Sequence, residues 1–162
     1  MMPLAVDMFA ESNPAFAAFV AIGFCRSFMD VADAAPSIAL FYLAVPIACS
    51  DDLQETFSST NATTGLLAWL TRYPEVRFGL GVRLDAALPT VSAGIQLALL
   101  SKALRLEPDG SLRLGADVPS KGVAERLSPQ PKQVLKRAER LGSWMAKAGT
   151  AAAVYSAFGV KP

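Results

Sequence analysis

Asp51, Asp52 and Glu55 bring three carboxylates into five residues, the kind of cluster that holds Mg²⁺ once a further acidic motif completes the ligand set. No such motif follows, so they read as a solvated loop. Cys25 and Cys49 lie far apart inside apolar stretches with no CxxC pair. They read as two small buried hydrophobes, with a single disulfide between them left open. The chain has no histidine, which removes Ser-His-Asp and Cys-His nucleophiles and histidine metal sites together. The P-loop pattern is absent, and Gly79-Leu80-Gly81 lacks the third glycine of the dinucleotide fingerprint, so these glycines read as close-packing positions in a helix. No catalytic, cofactor-binding or metal-binding set is expected, and the chain reads as a non-enzyme.

The cations carry the other pattern with chemical meaning. Lys132, Lys136 and Arg140 recur every four residues, with Arg137 beside them, and Arg105 and Arg113 stand on a hairpin. These could touch nucleic-acid phosphates without reading sequence, the alternative being a solvated face opposite an apolar seam. Residues 1–100 hold nine acidic and four basic side chains, whereas residues 101–162 hold five and eleven. That polarity suits a protein facing two partners, or halves that pair with each other.

The elements that must position these residues are mostly helices. Asn13-Pro14 supplies a cap and a first-turn proline, predicting a helix from Pro14 to about Val31. Its Phe16, Val20, Phe24 and Phe28 recur every four residues. Pro36 opens a second apolar run, predicted as a helix ending near Pro46, and a polar loop from Ser50 to Thr64 feeds a short helix at residues 65–70. Pro74 and Pro89 each predict a fresh start, giving helices over 75–88 and 89–103. Leu104-Arg105-Leu106 and Leu112-Arg113-Leu114 alternate around Glu107-Pro108-Asp109-Gly110, a β-hairpin with four leucines inward and two arginines outward. After a turn-rich stretch, a helix is expected from about Pro131 to Ala148 with Val134, Leu141 and Met145 on its seam, broken by Gly149 before a last segment.

The expected fold is therefore mainly α (α+β), a winged-helix-like helical domain with one β-hairpin and a C-terminal helix. Its predicted parts are a body over 13–115, a linker over 116–130, and a C-terminal helical segment over 131–162 packed on the body or a partner. Hydrophobic residues make up 52% and charged ones 18%, the latter below the usual ~25%, so part of the surface is expected to be covered by something else. The apolar runs 14–25 and 36–49 fall short of the ~18–20 residues of a membrane span. The opening MMPLAVDMFAES has no basic residue and carries Asp7 and Glu11, unlike a secretory leader, so a cytoplasmic chain is expected.

The ordered landmarks NPAF, FYLAVPIAC, TTGLLAWLTRYPE, LLSKALRLEPDGSLRLG, RAERLGSWMAKAG and FGVKP span Asn13 to Pro162. In that order they resemble the middle component of three-component ABC ATPase systems, as in Lamassu-type bacterial antiphage defence. The resemblance implies a non-catalytic linker between an SMC-like ABC ATPase and an effector, often a nuclease, acting against phage or plasmid DNA that the chain meets indirectly or non-specifically. Phe16, Val20, Phe24, Val134, Leu141 and Met145 are then expected at partner interfaces, with packing inside the monomer as the alternative. The competing reading is a stand-alone winged-helix DNA-binding regulator.

Overall fold

The computed structural model describes residues 13–162; the opening segment compared above with a leader lies outside them. Helix α1 (Pro14–Ala32) begins where its chemistry requires: the Asn13 side chain accepts a hydrogen bond from the Phe16 N–H at 3.1 Å, and Pro14 fills the first position. Helix α2 (Ile38–Cys49) is capped by Ser37 and runs through Pro46 instead of ending there. Proline this near the end interrupts little, because the last turn has few bonds left to lose, and the Ser50 hydroxyl donates to the Pro46 carbonyl at 2.7 Å. A 3₁₀ turn (Asp51–Leu53), α3 (Gln54–Phe57) and α4 (Leu66–Arg72) follow.

Two expected helices prove to be one. Pro74–Arg77 is only a 3₁₀ turn, Gly79 turns the chain with φ 65°, and α5 runs unbroken from Leu80 to Leu100 through Pro89. Pro89 and Asp85 both face solvent, so the carbonyl that loses its N–H partner is hydrated, and the helix survives. Strands β1 (Leu104–Leu106) and β2 (Leu112–Leu114) form the expected antiparallel hairpin, pairing Leu104 with Leu114 and Leu106 with Leu112. The inward face is only partly covered: Leu104 and Leu112 are buried, Leu114 is half-buried and Leu106 is 54% exposed. Pro36 and Ser37 lie along β2, the Pro36 carbonyl accepting from the Leu112 N–H at 2.9 Å. Helices α6 (Lys121–Glu125), α7 (Pro129–Lys147) and α8 (Ala151–Phe158) complete the chain, with Gly149 at φ 106° between the last two.

Helix α1 is the centre, packed between α5 and α7. The close approach depends on glycines facing it from both sides. A Cβ on Gly94 of α5 would lie 2.8 Å from the Ala17 Cβ, and one on Gly142 of α7 would lie 2.6 Å from the Phe24 carbonyl oxygen. Among the described helices α1 alone is long and apolar enough to cross a membrane by length and composition, and most of that window is buried by its neighbours. The far end of the core is aromatic: Trp69 and Trp144 lie 5.3 Å apart, with Phe57 stacked on Trp144 at 5.9 Å and Phe158 against Trp69.

Candidate functional site

The outer side of α5 is built differently from an ordinary surface helix. Val82, Ala86, Pro89, Ala93, Leu97 and Leu100 repeat at spacings of three and four along the side away from α1, and only Ala93 among them is not exposed. Val82 is 76% and Leu100 82% exposed, and Phe78 just ahead of the helix is 72% exposed. A solvated helix normally places charged residues there. The 21 residues of α5 hold two charges: Asp85, and Arg83, which grips Asp52 with two bonds of 2.7 and 2.8 Å. Spacing of this kind is what a second helix packs against.

The carboxylates of the Asp51–Glu55 stretch serve separate partners. Asp51 meets the buried Arg137 at 3.2 Å, Asp52 meets Arg83, whose hydrogen bonds hold its carboxyl below the usual range, and Glu55 is exposed. Among the described residues no group of three His, Cys, Asp or Glu is placed to hold a metal. Cys25 and Cys49 are both buried and not joined by a disulfide, and burial pushes the Cys25 thiol up to about 12.

The basic row on α7 divides into two uses. Arg137 also donates from Nε to the Ala48 carbonyl at 2.8 Å, Arg140 donates to the Phe57 carbonyl and the Thr60 hydroxyl, and Trp144 Nε1 reaches the Asn61 carbonyl at 2.9 Å. These three fasten the loop after α2 to α7. Lys132 pairs with Glu125 at 3.4 Å, while Lys136 stands exposed. Arg105 and Arg113 oppose each other across the hairpin and share Glu107, at 2.9 and 3.1 Å.

The described residues thus place a helical core behind one helix with an apolar outer side. The family model described as ABC-three component (ABC-3C) system Middle Component 3 matches residues 8–162. The chain belongs to this family. No curated protein and no solved structure matches it. In this middle component, five of the six residues expected at an interface lie inside the chain: Val20, Phe24, Val134, Leu141 and Met145 are buried where α1 meets its neighbours, and Phe16 is half-buried. The exposed apolar residues of α5 were not singled out by the sequence, because Val91, Ile95, Ala98 and Leu99 mark the buried side of the same helix. The scarcity of charge over residues 80–101 was the available signal.

Proposed function

We propose that this middle component is a non-catalytic adaptor that couples an SMC-like ABC ATPase to an effector, often a nuclease, in cytoplasmic defence against foreign DNA. The observation that carries the reading is the uncovered apolar side of α5, from Val82 to Leu100, with Phe78 at its head. Burying residues of this kind is the main source of interface energy, about 25 cal/mol per Å² of apolar surface. The hairpin after α5, with Pro36 and Ser37 beside β2, supports a winged-helix-like body. A DNA-reading regulator would present cations on the helix ahead of the wing, and here that helix offers Asp85, Gln96 and apolar side chains to solvent, with Arg83 held by Asp52.

The experiment is co-expression of the tagged chain with the other two components of its system, comparing wild type with the Val82→Asp/Leu100→Asp double variant. Both sites are exposed, so the variant should keep its circular dichroism and melting temperature while losing the ATPase from the eluate. A folded variant that retains the whole complex would overturn the α5 assignment. Salt-sensitive retardation of duplex DNA by the chain alone, with no co-eluting component, would favour the regulator.

A further inference from the structure

A recess lies between α1, α6 and α7, about 210 Å³ in volume. Its floor is apolar, formed by Phe19 and Ile22 of α1 and Leu135 of α7. Its walls carry Arg26, Lys121, Lys132 and Lys136 against Glu125 and Glu139, so cations outnumber carboxylates by two. Lys132 is taken by Glu125, and Arg26 donates to the Pro119 carbonyl at 2.7 Å. Lys121 and Lys136 have no ion pair among the described residues, and both lie near Glu139, whose carboxyl burial holds above its usual range.

We propose that this recess binds an acidic peptide segment anchored by one large apolar side chain. The volume is below the ~300–1,000 Å³ of sites for drug-sized ligands and suits a single side chain. An aromatic or branched residue would rest on Phe19, Ile22 and Leu135, and carboxylates on either side of it would meet Lys121 and Lys136. Phosphates fit worse. The apolar floor offers a phosphate no partner, and Arg137 and Arg140, which would extend a cationic track along α7, are turned inward to backbone carbonyls. The inference stands on the recess alone and does not need the α5 reading.

The test is titration of the isotopically labelled full chain with the peptide DEDFDE, followed by NMR, with DEDADE and a short duplex DNA as comparisons. Saturable shifts at residues 19–26, 119–125 and 132–139 are expected, with affinity falling at least about tenfold for DEDADE. It should fall several-fold in the Lys121→Glu/Lys136→Glu variant, and rise in Glu139→Gln. Three results would overturn the proposal: no saturable shift up to about 1 mM peptide, equal affinity for DEDFDE and DEDADE, or displacement of the peptide by duplex DNA.

Discussion

At the scale of single residues, Gly142 is tightly constrained where α7 meets α1, because the neighbour a Cβ would strike is backbone, the Phe24 carbonyl oxygen. Gly142→Val should force α7 off α1 and cost about 3 kcal/mol, read as a lower midpoint in urea; an unchanged midpoint would refute the close packing. Glu139 gives a pH signature. Its pKa is raised in the fold by burial, so its favourable contribution belongs to low pH and is lost as pH rises through the folded value. Glu139→Gln should therefore flatten the loss of stability between acid and neutral pH, measured by melting temperature. Asp52, held low by Arg83, works oppositely, its contribution present at neutral pH and lost in acid. The basic row shows where residue-level reading stops. Spacing reveals that Arg137 and Arg140 share a helix face, but not that carbonyls of Ala48 and Phe57, more than eighty residues upstream, meet them.

Helix starts were readable wherever a capping side chain does local work, as at Asn13, because the partner N–H lies three residues away. The hairpin was readable for the same reason: Asp109 accepts from the Ser111 N–H, and Gly110 takes φ 84° within the turn. Proline was misread at Pro46 and Pro89, since its cost depends on its place in the packed helix: Pro46 falls in the last turn, and the carbonyl freed by Pro89 faces solvent. Pro89→Ala restores the missing bond and should raise the stability of α5 by up to about 3 kcal/mol. A fall in melting temperature would contradict a continuous helix over Leu80–Leu100.

The whole molecule explains the composition. Covering α1 on both sides accounts for much of the apolar content, and the exposed remainder is densest on and just ahead of α5, with Val31, Leu67, Leu106 and Val123 scattered elsewhere. Low charge content signalled a covered surface, yet amphipathic periodicity cannot separate a face covered by the chain itself from one left for a partner. Val134, Leu141 and Met145 are of the first kind, whereas Val82 and Leu100 are exposed and, in the proposal above, of the second. Among the described residues the oppositely charged halves meet in the Asp51–Arg137 pair, while the Arg83–Asp52, Arg105–Glu107, Arg113–Glu107 and Lys132–Glu125 pairs each join residues within one half. The central claim is that this chain joins two other components, and native mass spectrometry of the reconstituted system tests it most directly. The account predicts one assembly containing ATPase, effector and this chain, with ATPase and effector separating when it is left out; an ATPase–effector complex of equal stability formed without it would contradict the adaptor role.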